Sequence, residues 1–282
     1  MEITFLGTSA GVPSKERGMP SIAVRAKELF LFDCGEGTQR QMMKFKVPYG
    51  SIQAIFLSHL HLDHVLGIYG LIETYRLLLP HRKLIIFAPK GFESKSSNVE
   101  IQSIKPGKLY ENNEYEIHAF EVKHKGECYG FKLIEKDKIK CYEKKAHSLG
   151  LKGAMFKEIQ KKGSITINNK KVKLKDITWV KKGKSIVYTG DTAPCNEIIK
   201  ASKHADLLIH ESSFLSDYQE NAKEAKHTTV EDAAKSAKRS KVTKLILTHI
   251  SQRYKDSNLL EKEAKKIFKN TTIAKDGECI IL

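Results

Sequence analysis

Short apolar runs broken by turn residues open the chain. Residues 3–5, 22–24 and 29–32 are such runs, and a turn-rich stretch from Gly7 to Pro13 separates the first two. They read as the opening strands of a sheet. The third ends at Asp33-Cys34-Gly35-Glu36-Gly37-Thr38 and leads into a helix over 39–45. Residues 52–57 form a continuous apolar run of the kind a buried strand shows, and 65–79 carries apolar residues at helical spacing up to Pro80. Strands follow at 84–88, 115–122 and 129–134, then at 185–188, 206–209 and 244–247. Thr228-Thr229-Val230-Glu231 has the capping-box pattern and opens a helix to about residue 239. A helix over 259–269 and last strands in 272–282 complete the pattern. Strands alternate with helices through both halves, which predicts an α/β fold with helices outside a sheet core.

One region breaks this rhythm. Residues 136–182 hold two short helical patterns, 144–149 and 155–161, and a hairpin over 165–172 with a polar tip at Asn168-Asn169. Large apolar residues are few there, so the segment is expected to project as an arm from a single domain spanning 1–282, without a core of its own. Charge sharpens this picture. The chain carries a net +16, and residues 132–184 alone hold seventeen lysines against five carboxylates, +12 of that total. A basic proteome would spread its lysines; this excess is concentrated. It points to an anionic partner (RNA, DNA or a membrane surface), and for a nucleic acid to binding through phosphate neutralisation. Aromatic residues in the arm are sparse (Tyr142, Phe156, Trp179), so recognition of RNA shape is expected in preference to base stacking.

Cysteine and hydropathy narrow the setting. Five scattered cysteines without a C-x-x-C pair argue against a disulfide framework and for a reducing cytoplasm; each reads as a small buried hydrophobe. No apolar run is long enough to span a bilayer, and the N-terminus reads as a strand and not as a signal peptide.

The chemistry lies directly after the run 52–57. Ser58-His59-Leu60-His61-Leu62-Asp63-His64 places three histidines and an aspartate in one strand-to-helix turn. His59 and His61, two apart, point to one side of an extended segment, while Asp63 and His64 turn toward a second position nearby. Imidazole and carboxylate are zinc ligands, and this cluster alone cannot close two sites. His124, Asp191 and His249, at the ends of later strands, are candidates to complete them, and Asp191 after Thr189-Gly190 is placed to bridge. His81, His118, His147 and His204 stand alone and read as structural. Gly7-Thr8-Ser9-Ala10-Gly11 fits the nucleophile-elbow pattern G-x-S-x-G, but that motif requires a helix after the serine, and Val12-Pro13 prevents one.

His59-Leu60-His61-Leu62-Asp63-His64 resembles the H-x-H-x-D-H signature of the metallo-β-lactamase fold. More narrowly, the chain resembles the ribonuclease Z family of tRNA 3′-processing endonucleases. Besides the histidine cluster, the matching stretches are Phe5 to Pro13, Leu31 to Gln39, Thr189-Gly190-Asp191-Thr192, His210-Glu211, His227-Thr228-Thr229 and Leu247-Thr248-His249-Ile250-Ser251. The chain departs from the family at Tyr69, where proline is frequent, at Ser212-Ser213 in place of Ala-Thr, and at Gly153-Ala154 in place of Gly-Pro. The resemblance implies an αββα sandwich with a projecting basic arm. It implies two zinc ions per subunit, one on His59, His61 and His124, a second on Asp63, His64 and His249, with Asp191 bridging. It also implies a homodimer in which the arm of one subunit serves the active site of the other.

The expected activity is cleavage of the 3′ trailer from precursor tRNA, leaving a 3′-hydroxyl on the tRNA. The nucleophile would be a hydroxide shared by two zincs roughly 3.5–4 Å apart. Asp63 is expected to orient that water or take its proton, and His227, held by Glu211, to protonate the leaving 3′ oxygen. His227 precedes a helix N-terminus, which disfavours imidazolium, so the carboxylate partner matters. Two rivals are another hydrolase of the same fold (a lactonase, thioester hydrolase or cyclic-nucleotide phosphodiesterase), which needs no +12 arm, and a non-catalytic RNA-binding protein, which needs no full ligand set.

Overall fold

The computed structural model describes residues 1–282, which divide into two compact units. The larger comprises 1–112, 116–134 and 184–282; the smaller comprises 113–115 and 135–183.

The larger unit is built on two seven-stranded sheets. The first runs, edge to edge, Cys279–Ile281, Glu2–Gly7, Ser21–Arg25, Leu29–Phe32, Ile52–Phe56, Leu84–Ala88 and Val99–Ser103. The second runs Thr271–Ile273, Lys244–Thr248, Leu207–Glu211, Ser185–Tyr188, Tyr129–Glu135, Tyr115–Glu121 and Gly107–Glu111. Strand alternation explains why both faces of the first sheet are apolar. Leu29, Leu31, Ile55 and Leu57 turn toward Met42, Ile68, Leu71 and Tyr75 of the helices Thr38–Lys44 and Gly67–Leu78. Phe32 and Phe56 turn the other way and meet Phe131 of the second sheet, ring centroids 5.6 and 5.7 Å away. On the far side, Val187, Leu208, Leu245 and Leu247 pack under Ala233, Ala234 and Ala237 of the helix Val230–Ser240 and Leu260 of the helix Asn258–Lys265. Helix, sheet, sheet and helix thus stack as the αββα sandwich expected.

Several local expectations differ from the structure. The helical pattern 65–79 is two helices, Leu62–Val65 and Gly67–Leu78, so Asp63 and His64 sit within a helical turn. The capping box is shifted by one residue: Thr229 caps, accepting from the Asp232 amide at 3.2 Å, while the Thr228 hydroxyl donates to the Thr192 carbonyl. The edge strands Val99–Ser103 and Gly107–Glu111 are largely exposed and polar, and so lack the apolar alternation by which strands are recognised. Cys34, Cys128 and Cys195 are buried as expected, but Cys141 is half-buried and Cys279 exposed.

The smaller unit overturns one expectation. Lys138–Cys141 pairs with Thr178–Lys181, and Ser164–Ile167 pairs with Lys170–Lys173 around Asn168 and Asn169, both at positive φ as a tight hairpin requires. Between them lie the helices Glu143–Ser148 and Met155–Lys162. Ala146, Leu151, Ile159, Ile165, Ile167, Val172 and Ile177 come together as a buried cluster. The segment therefore has a small core. Its members are medium-sized and spaced through the lysines, so no run of sequence reveals them.

Candidate metal centre

Every expected ligand leaves the carboxyl end of a strand or the turn just beyond it. His59 to His64 follow Ile52–Phe56, His124 follows Tyr115–Glu121, Asp191 follows Ser185–Tyr188, and His249 follows Lys244–Thr248. Ser185–Tyr188, Leu207–Glu211 and Lys244–Thr248 are mutually parallel, so their carboxyl ends share one sheet edge. Ser9–Ala10 pairs with Ile250–Ser251 at that edge and brings the opening loop there. Gly190 lets Asp191 approach: its φ is 58°, and a Cβ there would lie 2.7 Å from that of Ser58.

Three ligand groups result, two of which share Asp191; the third is Glu211, His227 and His249. Of the two that share it, His59, His61, His124 and Asp191 form one, and Asp63, His64, Asp191 and His249 the other, each with its ligand atoms within 4.8 Å of one another. Asp191 is common to both: its Oδ2 lies 3.7 Å from His59 Nε2, 3.4 Å from His64 Nε2 and 3.3 Å from His249 Nε2. Asp63 Oδ2 lies 3.6 Å from both His64 Nε2 and His249 Nε2 and accepts the Gly11 amide at 3.1 Å.

Hydrogen bonds behind the rings decide which nitrogen faces the centre. His64 Nδ1 donates to Asp33 Oδ2 at 2.8 Å, and His124 Nδ1 to the Lys226 carbonyl at 2.9 Å. The Ser58 hydroxyl donates to Asp33, so at 2.9 Å from His59 Nδ1 it accepts. Likewise the Ser213 hydroxyl donates to Glu211 Oε2 and accepts from His249 Nδ1 at 2.9 Å. These four rings therefore present a bare Nε2 inward. His59, His64 and His249 Nε2 and Asp191 Oδ1 are buried with no hydrogen-bond partner. Buried polar atoms without partners are costly, and four converging on one spot are what cation ligands look like without their cation. His61 completes the set with Nδ1, 3.3 Å from His124 Nε2. The donors present fit a metal.

Electrostatics agree for three of the rings; on His64 burial is outweighed by Asp191 and Asp33, which raise its pKa. Burial drives the pKa of His59 down to about 2, helped by His64, and burial also lowers His61 and His124, so these rings are neutral ligands. Burial opposes charge on Asp191, but His249 and His64 hold its carboxyl well below the usual carboxylate range. Asp63 follows the same pattern, with burial outweighed by His249 and His64.

Glu211 and His227 stand at the flank. His227 Nδ1 lies 2.7 Å from Glu211 Oε1, and Glu211 is buried, also accepting the Thr192 amide at 2.9 Å. Burial works against a charged His227, but the Glu211 carboxylate and its hydrogen bond raise the pKa to about 9. The His227 ring lies 4.8 Å from that of His124 and 5.4 Å from that of His249. A 310 Å³ cavity opens over His61, Asp63, Asp191, His227 and His249.

All the residues singled out in the sequence come together here, and His81, His118, His147 and His204 belong to none of the ligand groups. Sequence reasoning missed Asp33, Ser58, Ser213 and Arg253. Asp33 and His249 are the two buried members of the eight non-glycine residues with positive φ, strain placed where the site needs it. Arg253 lines the cavity, its guanidinium held 4.8 Å over the Phe214 ring.

A family model described as anti-Pycsar protein Apyc1 matches residues 1–273. Ribonuclease Z of Methanosarcina acetivorans is 38% identical, over 98% of this chain and 96% of the relative. Ribonuclease Z of Sulfolobus acidocaldarius is also 38% identical, over 100% and 98% respectively. Among solved structures, human tRNase Z, short form, superposes with a TM-score of 0.70 at 26% identity, covering 100% of this chain and 99% of that one. The metallo-β-lactamase fold protein YhfI of Bacillus subtilis superposes at 0.75 with 21% identity, over 99% and 98%, and shares the fold. The chain belongs to the ribonuclease Z proteins of the metallo-β-lactamase fold.

Proposed function

We infer that this protein is a metal-dependent endoribonuclease that removes the 3′ trailer from precursor tRNA and leaves a 3′-hydroxyl on the tRNA. The observation that carries the reading is the Glu211–His227 pair beside two ligand groups that share Asp191, in a chain similar end to end to ribonuclease Z. His59, His61 and His124 would hold one ion, Asp63, His64 and His249 a second, with Asp191 between them. Zinc suits this imidazole–carboxylate set. Bound there, the ions would activate water and neutralise phosphate charge.

The protein's own groups do the rest. Asp63, fixed at Oδ2 by the Gly11 amide, orients the attacking water or takes its proton. His227 Nε2 gives a proton to the departing 3′ oxygen, and Glu211 keeps that imidazole charged and correctly turned. Arg253, at the cavity wall, offers a fixed cation to the phosphate backbone.

The smaller unit supports tRNA as the substrate, because its lysine excess suits phosphate contacts. Lys138 and Lys181 pair across its base, so excising 138–180 leaves ends that rejoin. The excised protein is expected to show a KM for precursor tRNA raised at least about tenfold, given several lost phosphate contacts. Hydrolysis of bis-p-nitrophenyl phosphate should be spared. Equal loss on both substrates would remove the docking role.

A homodimer is supported by an exposed apolar stripe at helical spacing, Leu62, Leu66 and Tyr69, 65%, 42% and 54% accessible. Sedimentation of Leu66→Glu should give a monomer impaired on precursor tRNA; an unchanged oligomeric state would exclude this face. Five unbonded cysteines fit a reducing cytoplasm, and no helix is long and apolar enough to cross a membrane.

A further inference from the structure

Tyr142 and Trp179 are thirty-seven positions apart in the sequence, yet their rings lie 6.3 Å apart with planes tilted by 33°. The ribbon of the smaller unit brings them together. Trp179 is the cross-strand partner of Lys140, and Tyr142, two residues beyond Lys140, falls on the same face. Both rings are about half exposed, 50% for Tyr142 and 41% for Trp179. A soluble surface rarely leaves two large aromatic rings side by side in water without a use for them. A concavity of 610 Å³ borders Tyr142, lined also by Cys141, Glu143, Lys144 and Lys145.

The charge around the rings says what would cover them. Lys140, Lys144, Lys145 and Lys181 are all exposed. Other lysines of this unit are engaged: Lys138 pairs with Glu114 and Glu135, and Lys182 with Asp137. Paired aromatic faces ringed by uncommitted cations match a ligand that is flat, apolar on its faces and bordered by phosphates. An unstacked base in an RNA chain has that chemistry, and a base inside a continuous duplex does not, because its faces are already covered.

We propose that Tyr142 and Trp179 form a stacking platform for an unpaired, unstacked base of the RNA substrate, with the surrounding lysines holding the flanking phosphates. The assignment rests on the RNA-processing reading of the enzyme. It replaces pure shape recognition by the arm with shape plus one stacked base.

Trp179 is the single tryptophan of the chain, so its emission reports on this spot alone. Titrating the full-length protein with mature tRNA should quench that emission, and a blunt RNA duplex of similar length should not. Trp179→Ala and Tyr142→Ala should each weaken tRNA binding by about tenfold, within the range of alanine substitutions at base-stacking residues. Trp179→Phe should keep most of the affinity, which separates a lost platform from a damaged fold. The slope of binding against salt should be unchanged in all three, because no phosphate contact is removed. The platform is overturned, with the enzyme reading intact, if wild-type protein cleaves precursor tRNA while tRNA leaves Trp179 emission unaltered. The same holds if Trp179→Ala binds as wild type does, or if the duplex quenches equally. A wild-type protein that neither cleaves precursor nor binds tRNA overturns both.

Discussion

His227→Ala lowers kcat on precursor tRNA by roughly two to four orders of magnitude, the range that positioned general acids contribute. Metal content and tRNA affinity stay near wild type, because His227 belongs to neither group built around Asp191. The cause is the leaving oxygen, which departs poorly without a proton. The Glu211 carboxylate 2.7 Å away raises the His227 pKa to about 9 against the opposing effect of burial, so the acid is charged at neutral pH. The sign of the pH dependence follows. Activity requires the protonated ring and falls as pH rises through that value. Glu211→Gln removes the main support for the charge and moves the alkaline limb of the kcat profile to lower pH. Normal turnover in His227→Ala, or an unmoved limb in Glu211→Gln, would take this pair out of the mechanism.

Asp191→Ala abolishes activity on precursor tRNA and on bis-p-nitrophenyl phosphate alike and strips the protein of most bound metal. Asp191 is the one carboxylate within 4 Å of His59, His64 and His249 together. Its loss leaves imidazoles facing one another with no anionic bridge, and both ion sites weaken at once. Elemental analysis of the purified variant checks this and shows which metal the wild type carries. Two equivalents of zinc retained in the variant would show that Asp191 is not shared. Treatment of the wild type with a chelator should reproduce the activity loss, and added zinc should reverse it.

The sequence exposed the site unevenly, for physical reasons. His59 to His64 are legible because a single turn holds four ligand-type side chains, and no ordinary surface needs that. His124, Asp191 and His249 are legible by position at strand ends together with the family resemblance. Asp33 was not, although it anchors His64, Ser58 and the Tyr188 hydroxyl. Its partners come from two other strand ends, those of 52–56 and 185–188, and no local pattern announces such a convergence. The Ser213 hydroxyl that turns His249 and the Lys226 carbonyl that turns His124 are equally silent, since a serine or a backbone oxygen carries no motif. At Ser213, where threonine is frequent in the family, the hydroxyl is retained, so this departure keeps the contact to His249.

The fold was readable where burial imposes a period. Leu29 to Phe32 is apolar at every position because alternate residues serve different layers, Leu31 the helices and Phe32 the opposite sheet. The smaller unit was not readable in this way. Its core residues, such as Ile159 and Ile177, are scattered among lysines, and its aromatic pair is assembled only by strand pairing.

Incubating the purified, metal-loaded protein with a 3′-extended precursor tRNA and mapping both new ends tests whether it is a tRNA 3′-processing endonuclease. The expected result is a cut at the 3′ side of the tRNA body, with a 3′-hydroxyl on the tRNA and a 5′-phosphate on the trailer. An intact precursor, alongside hydrolysis of a cyclic nucleotide by the same preparation, would contradict it.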